Sequence, residues 1–249
     1  MCTLAVYSAT LPSLPLVIAA NRDEFHARPT DGPGRLGASG RAFGGRDLVA
    51  GGSWLAIGES GVVVGVLNRR TEGPPDPTCA SRGTLCVSLA EAPSVEAALA
   101  LLEADDASRY NPFNLLIADR GIAYVAQNRG GLHVQHLEPG LHLLTNLDLD
   151  DPTCPRISRS TGRFAEVGRR FEASRDRDAL VDDLREVLSD HQVPLDDRRP
   201  TDQLCIHMPG YGTRSSSVIL LDEAGATKLH YAPGAPCGTP YRETPLPWA

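Results

Sequence analysis

Short apolar runs bounded by turn residues dominate the first part of the chain and predict β-strands. We predict such strands over 2–7, 14–20, 53–57 and 62–67. Residues 62–67 are apolar on both faces, which indicates a strand lying between two layers. Residues 27–52 are rich in glycine, arginine and proline, so we predict a long ordered loop there.

Apolar residues recur at helical spacing in three later segments. Positions 95, 98, 99 and 102 lie on one face of a helix that Ser94 is placed to cap. Two further amphipathic helices are predicted over 157–171 and 180–188. The remaining predicted strands, ahead of a proline-rich tail, are 113–118, 122–127, 132–136, 141–145, 215–221 and 227–231.

The predicted elements follow the order strands, helix, strands, helices, strands. Strict βαβ alternation is absent, which disfavours a doubly wound parallel sheet. Two largely antiparallel sheets packed face to face, with helices outside, suit strands that are apolar on both faces. We therefore predict an α+β fold and, because no internal repeat or convincing boundary is visible, a single domain over residues 1–249.

Charge and composition exclude several classes of partner. The net charge is −7 and the arginines are scattered, whereas a nucleic-acid surface needs clustered positive charge. No segment approaches the ~20 apolar residues that span a bilayer, and no secretory leader is recognisable. We expect a cytoplasmic protein with reduced thiols, no nucleic-acid partner and no stable membrane insertion.

The spacing of cysteine and histidine residues predicts no metal site. None of the six cysteines forms a CxxC pair, and no histidine cluster complements them. Apart from Cys2, the cysteines are expected to be ordinary packed thiols, and no cofactor is required. Among the dispersed histidines, His26 and His207 are candidate ligands or residues of a site wall.

The Met1-Cys2 start carries a specific chemical possibility. If Met1 is removed, Cys2 holds both a thiol nucleophile and an α-amine. The ordinary pKa of that amine is about 7.7–8.0, so its neutral fraction can accept the thiol proton. A small residue also stands at position 2 in many chains without any catalytic reason.

Four polar residues follow or open strongly apolar strands: Arg22, Asn68, Asn146 and Arg214. If those strands end together, their side chains meet at one mouth of a sandwich. Acyl transfer needs such a set, with amide donors for an oxyanion and a guanidinium near a thiolate. The alternative is that these residues are polar only because loops are exposed to solvent.

A series of motifs in order along nearly the whole chain closely resembles the NRDE family, which includes the transport and Golgi organisation protein 2 group. The motifs are Met1-Cys2-Thr3, Ala20-Asn21-Arg22-Asp23-Glu24-Phe25 with Arg28-Pro29-Thr30, Gly44-Gly45-Arg46-Asp47, Gly52-Ser53-Trp54-Leu55 and Tyr211-Gly212-Thr213-Arg214-Ser215-Ser216. The resemblance implies a four-layer αββα sandwich similar to the N-terminal-nucleophile (Ntn) hydrolases. Family members are also linked to haem trafficking.

A more distant resemblance, to the choloylglycine hydrolase and penicillin V acylase group, implies roles for the site residues. Cys2 looks like the nucleophile and Arg22 like the arginine beside its thiolate. Asn68 looks like an oxyanion donor, and Asn146 like the asparagine that contacts the α-amine and the oxyanion. Arg214 looks like the late arginine that tunes the site.

The chain departs from that group at the carboxylate that follows the early arginine. The group has an aspartate three residues after the early arginine, where this chain has Phe25. Neighbours on a strand point to opposite faces, so Asp23 and Arg22 share the site only if the strand has already ended there. Glu24 lies on the same face as Arg22 and is the candidate replacement.

Two functions remain open from the sequence. The first is an N-terminal-cysteine hydrolase of an amide C–N bond in a small, non-peptide substrate. The second is a non-catalytic haem-binding or trafficking protein on the same fold, with haem as cargo. No CxxCH motif supports a fixed haem site.

Overall fold

The computed structural model of the chain describes residues 2–191 and 199–248. In chain order its main elements are β1 (Thr3–Leu11), β2 (Leu14–Phe25), β3 (Thr30–Leu36), β4 (Ala42–Asp47), β5 (Leu55–Gly58), β6 (Val63–Asn68), α1 (Arg82–Ala90), α2 (Val95–Ala104), β7 (Phe113–Ala118), β8 (Ala123–Asn128), β9 (Leu132–His136), β10 (Gly140–Leu144), α3 (Pro155–Ser174), α4 (Arg177–Leu188), β11 (His207–Met208), β12 (Tyr211–Leu221), β13 (Thr227–Ala232) and β14 (Arg242–Thr244). They divide into two compact units.

The first unit comprises Met1–Ala27 and Pro139–Pro245. Its sheet has the strand order β10-β1-β2-β12-β13-β14, with β11 paired to β12, and these pairings are antiparallel. Helices α3 and α4 cover one face of this sheet, where Phe164 and Leu184 are fully buried against Val17 and Ala19. Alternation along β2 therefore sends its odd-numbered residues to the helices and its even-numbered residues to the opposite face.

The second unit comprises Arg28–Glu138 and Leu246–Ala249. Its antiparallel sheet follows the sequence order from β3 to β9. Helices α1 and α2 pack on it around a core that includes Leu89, Leu115 and Ile117. The side chain of Ser94 accepts a hydrogen bond from Ala97 N at the start of α2, so the predicted N-cap is confirmed.

The structure confirms an α+β fold built from antiparallel sheets and helices, and the predicted helices near 95, 157 and 180 are present. The single-domain assignment stays a prediction. Within residues 2–191 and 199–248, none of the helices combines the length and the apolar character that crossing a bilayer requires.

The predicted long loop at 27–52 is wrong, because β3 and β4 lie within it. These strands contain several glycines and charged residues, and β3 lies at the edge of the sheet, so the sequence shows no apolar alternation there. Helix α1 was not predicted, and β14 interrupts the expected proline-rich tail.

The polar run Asn21–Glu24 does not end its strand, since β2 continues to Phe25. Buried polar side chains are tolerated there because they have partners. The side-chain amide of Asn21 donates to the carbonyl oxygens of Leu188 and Leu204, each at 2.8 Å.

Candidate active site

Three of the predicted site residues meet at one end of the first unit's sheet. Strand β1 pairs Thr3 with Asn21 of β2 and Leu4 with Leu144 of β10. Continuing each register by one or two residues places Cys2 opposite Arg22 on one side and Asn146 on the other. The main-chain nitrogen of Cys2 donates to Asn146 Oδ1 at 3.1 Å.

Arg22 is buried on the face of β2 that lies away from the helices. Its side chain is 5% exposed, and its Nη2 lies 3.9 Å from Oε2 of Glu24. Arg22 and Glu24 therefore share a face, as the alternation predicted. A guanidinium held in this place favours the charged form of a neighbouring thiolate.

Asp23 points to the opposite face, toward α3. Its Oδ1 accepts from Thr213 Oγ1 at 2.6 Å, and its Oδ2 accepts from Arg156 Nη1 at 3.0 Å. The same Nη1 donates to Thr3 Oγ1 at 3.0 Å, and Arg156 Nε donates to the carbonyl oxygen of Thr201 at 2.7 Å. Asp23 thus belongs to a buried network directly behind Cys2, and does not face the site beside Arg22.

Arg156 is a part of this arrangement that sequence reasoning missed. Its side chain is 3% exposed and that of Asp23 is fully buried. Arg156 stands in the first turn of α3, beside Ile157 on the face that packs against the sheet. An arginine at a helix start carries no local signal of burial, so only the packing of α3 identifies it.

The surroundings of Cys2 shift the pKa of its thiol upward. Burial raises the pKa of Cys2 above its ordinary value, and the nearby Asp23 raises it further, while Arg22 acts to lower it. Burial also raises the pKa of Asp23, and the guanidinium of Arg156 opposes that shift. Nucleophilic attack by Cys2 therefore requires a base that removes the thiol proton.

Arg214 occupies a β-bulge between β12 and β2. Thr213 pairs with Asp23 and Ser215 with Arg22, so Arg214 is the extra residue. A bulge of this kind re-aims a side chain, and bulges are frequent beside active sites. Burial raises the pKa of Tyr231, whereas a hydrogen bond with Ser215 and the charges of Arg22 and Arg214 act to lower it.

His26 contributes its main chain to this region. Its carbonyl oxygen accepts from Arg214 Nη1 at 2.9 Å, and its nitrogen donates to the carbonyl oxygen of Gly210 at 2.8 Å. Gly212 allows the chain to approach closely here, because a Cβ at this position would lie 2.5 Å from the carbonyl oxygen of Ile206 and 3.1 Å from His26 Nε2. His26 is thereby fixed next to Arg214.

His207 lies elsewhere in the first unit, where its ring contacts Cys205 and Cys237. Asn68 belongs to the second unit, in which it ends β6 opposite Phe113 of β7. Its role as an oxyanion donor stays a prediction.

Comparison with known proteins identifies the family. The family model of Transport and Golgi organisation 2 matches residues 1–231. This chain belongs to that family. The Transport and Golgi organization protein 2 homolog of Homo sapiens is 29% identical over 233 residues, spanning 84% of this chain and 83% of the relative. The Drosophila melanogaster Transport and Golgi organization protein 2 is 32% identical over 246 residues, spanning 87% and 84%.

Solved structures confirm the Ntn-hydrolase-like fold of this Transport and Golgi organisation 2 chain. A Caenorhabditis elegans ortholog of N-acylethanolamine-hydrolyzing acid amidase matches with a TM-score of 0.59 at 15% identity, covering 88% of this chain and 92% of its own. Penicillin V acylase from Agrobacterium tumefaciens matches with a TM-score of 0.54 at 15% identity, covering 98% of each chain. At such low identity the likeness establishes the fold alone.

Proposed function

We propose that this chain hydrolyses the C–N bond of a small, non-peptide amide, with Cys2 as an N-terminal nucleophile after removal of Met1. The contact between the Cys2 nitrogen and Asn146 Oδ1, at 3.1 Å, carries the proposal. After processing, that nitrogen is the α-amine, and Asn146 then orients the group that must accept the thiol proton. Orientation of a catalytic base by a third group is typical of activated nucleophiles.

The proposed reaction proceeds in two halves. The Cys2 amine takes the thiol proton, and the sulfur attacks the amide carbonyl carbon to form a tetrahedral intermediate. The C–N bond then breaks as the protonated amine delivers its proton to the leaving nitrogen, leaving a thioester on Cys2. Water, deprotonated by the same amine, attacks the thioester, releases a carboxylic acid and restores the thiol.

Each neighbouring group has a distinct role in this scheme. Arg22 stabilises the thiolate by its charge, and Asn146 holds the amine and contributes to binding of the oxyanion. Asp23 acts as a positioning residue, because its side chain is held by Thr213 and Arg156 at the back of the strand that supports Cys2. Arg214 offers a guanidinium for a carboxylate or an oxyanion.

The fold neighbours support amide substrates as the class to test. One is an ortholog of an N-acylethanolamine-hydrolyzing acid amidase and the other is an acylase. Small N-acyl amides are therefore the first compounds to screen. Haem as a cargo of this chain stays a prediction, and a haem titration of the Cys2→Ala variant tests it independently of hydrolysis.

The decisive experiment combines the processing state with turnover. Purified protein is mapped by mass spectrometry for Met1 removal, and amine release from a panel of N-acyl amides is then measured. The matched control is Cys79→Ala, which removes another partly exposed free thiol that belongs to the second unit. We expect Cys2→Ala to reduce turnover by more than about 10³-fold and Cys79→Ala to leave it unchanged. Retention of Met1, or turnover that survives Cys2→Ala, would refute the proposal.

A further inference from the structure

Four side chains in the first unit form a cluster of nitrogen and sulfur atoms away from Cys2: His191, Cys205, His207 and Cys237. One ligand atom from each lies within 4.8 Å of every other. Cys205 Sγ lies 3.4 Å from His207 Nε2 and 3.6 Å from Cys237 Sγ, and His207 Nε2 lies 3.2 Å from Cys237 Sγ.

The distances among Cys205, His207 and Cys237 fit a tetrahedral zinc site. Tetrahedral zinc has bonds of about 2.3 Å to sulfur and about 2.0–2.1 Å to nitrogen, which separates neighbouring ligand atoms by roughly 3.3–3.8 Å. Two of the three contacts, at 3.4 and 3.6 Å, fall within this range, and the third, at 3.2 Å, lies just below it. Two thiolates and two imidazoles are also one of the ligand sets of structural zinc sites.

Hydrogen bonds to main-chain carbonyl oxygens connect the segment that holds Cys205 to the chain around His191. Cys205 N donates to the carbonyl oxygen of Asp190 at 2.8 Å, and the side-chain amide of Gln203 donates to the carbonyl oxygen of His191 at 2.6 Å. Cys205 lies in the bend just before β11, and His207 is the first residue of that strand.

The remaining ligand is supplied by a turn. Cys237 lies in the turn in which Gly238 N and Thr239 N both donate to the carbonyl oxygen of Ala235, at 3.1 and 2.9 Å. The ligands therefore come from the chain after α4, the start of β11 and the segment between β13 and β14.

We propose that His191, Cys205, His207 and Cys237 bind one Zn²⁺ ion in a tetrahedral structural site. Four protein ligands leave no open position for a water or a substrate, so the ion has a structural role. It cross-links the end of α4, the hairpin β11–β12 and the turn after β13. No short spacing motif marks this site in the sequence, because its ligands come from three separate segments.

A disulfide between Cys205 and Cys237 is the competing explanation. Both cysteines are free thiols in the structure. A disulfide would engage only these two side chains, whereas the cluster also brings two imidazole nitrogens to the same point. Zinc explains all four.

The site also connects to the network behind Cys2. Ile206, which stands between the ligands Cys205 and His207, donates its nitrogen to Thr213 Oγ1 at 2.9 Å, and Thr213 Oγ1 donates to Asp23 Oδ1 at 2.6 Å. Binding of zinc should therefore stabilise the hairpin that carries Thr213. Because the zinc site needs no catalysis by Cys2, it can be tested whether or not the chain hydrolyses amides.

The test uses the full chain, purified and kept under reducing conditions. The protein is incubated with Zn²⁺, freed of excess metal by gel filtration and analysed by elemental mass spectrometry. We expect about one zinc ion per chain. Replacement by Co²⁺ should give thiolate-to-cobalt charge-transfer bands together with the strong d–d absorption of tetrahedral cobalt.

Variants distinguish this site from adventitious binding. Cys237→Ser and His191→Asn each remove one solvent-accessible ligand and should weaken zinc binding by more than about 100-fold in a competition with a chromogenic chelator. Cys79→Ser serves as the matched control and should bind like the wild type. Far-ultraviolet circular dichroism checks that each variant is folded.

Three outcomes would overturn the proposal. The first is a reduced wild-type protein that retains no zinc after gel filtration. The second is a folded Cys237→Ser variant that binds zinc as tightly as the wild type. The third is a Cys205–Cys237 disulfide, mapped by mass spectrometry in the reduced preparation, in protein that takes up no metal.

Discussion

Two cysteines, one in each unit, differ in what surrounds their thiols. Cys86 in α1 of the second unit is completely buried among apolar residues, and its thiol donates to the carbonyl oxygen of Val64 at 3.4 Å. Cys2 in the first unit is partly exposed and lies among Arg22, Asp23 and Asn146. Burial raises the pKa of both thiols.

The comparison separates burial from activation. A raised pKa alone leaves a thiol inert, and Cys86 lies in an apolar cluster with its thiol bonded to a main-chain oxygen. Around Cys2 the chain adds an arginine, a fixed amide oxygen and the potential α-amine. The polar surroundings, and not the burial of the sulfur, therefore distinguish a candidate nucleophile from a packed thiol.

The largest expected effect comes from breaking the ion pair behind Cys2. Arg156→Met leaves the carboxylate of Asp23 buried without its charged partner and should lower the free energy of unfolding by about 3–5 kcal/mol. The double variant Asp23→Leu/Arg156→Met should recover most of that loss, because an apolar pair replaces the ionic one. Urea denaturation of the single and double variants measures both.

Arg169→Met is the control for this pair, because Arg169 and Glu166 form an ion pair that is open to solvent. It should leave the urea midpoint unchanged. A loss for Arg156→Met no greater than that for Arg169→Met would contradict the buried network.

Asn146→Ala tests the polar contact that Cys86 lacks. Removing an oxyanion donor typically lowers kcat by about 10²–10³-fold, and Asn146 is also the partner of the Cys2 nitrogen. We expect a loss of this size in kcat on the best N-acyl amide, with a folded protein by circular dichroism. A kcat equal to that of the wild type would remove Asn146 from the site.

The next comparison replaces each sulfur by oxygen. Cys86→Ser places a hydroxyl in an apolar core and should lower the free energy of unfolding by about 1–3 kcal/mol. Cys2→Ser should cost less, because its surroundings are polar and partly open. Urea denaturation decides the order, and a larger loss for Cys2→Ser would mean that Cys2 is held mainly by packing.

The smallest effect concerns the pH dependence of alkylation. Burial raises the pKa of Cys2, so at neutral pH its thiolate fraction in chains that retain Met1 is below that of a free cysteine peptide. Alkylation of Cys2 by limiting iodoacetamide should then be slower than that of the peptide and keep increasing at pH values where the peptide rate has levelled off.

Processed chains should behave differently in the same experiment. In chains without Met1, Cys2 should be labelled ahead of the other thiols at neutral pH, because the α-amine accepts its proton. Peptide mass mapping at several pH values measures the rates. Faster labelling of Cys2 in chains that retain Met1 than in processed chains would contradict this assignment.

Much of the fold followed from local patterns. The amphipathic spacing at 157–171 and 180–188 predicted α3 and α4, and the apolar run at 113–118 predicted β7 with its observed bounds. Strands β3 and β4 were missed because their glycines and arginines lack alternation. The end of β2 was misplaced because buried polar residues resemble a turn until their partners are known.

The sequence also predicted some residues of the candidate site and missed the position of others. Cys2, Arg22 and Asn146 were predicted from strand ends and family resemblance, and the register of β1 with β2 and β10 brings them together. His207 was a candidate ligand or site-wall residue, and the structure places its ring beside Cys205 and Cys237. His191 and His207 are 16 positions apart in the sequence, yet their ring centroids lie 5.5 Å apart.

The sequence by itself determined the fold class, the family and the three residues at the mouth of the sheet, because strand periodicity and short motifs are local properties. Only the tertiary structure decided the orientation of Asp23, the burial of Arg156 and the cluster around Cys205. Asp23 and Arg156 are 133 residues apart, and their contact depends on how α3 packs on the sheet. Partners of this kind are selected by packing and by the need to satisfy buried charge, which no local pattern encodes.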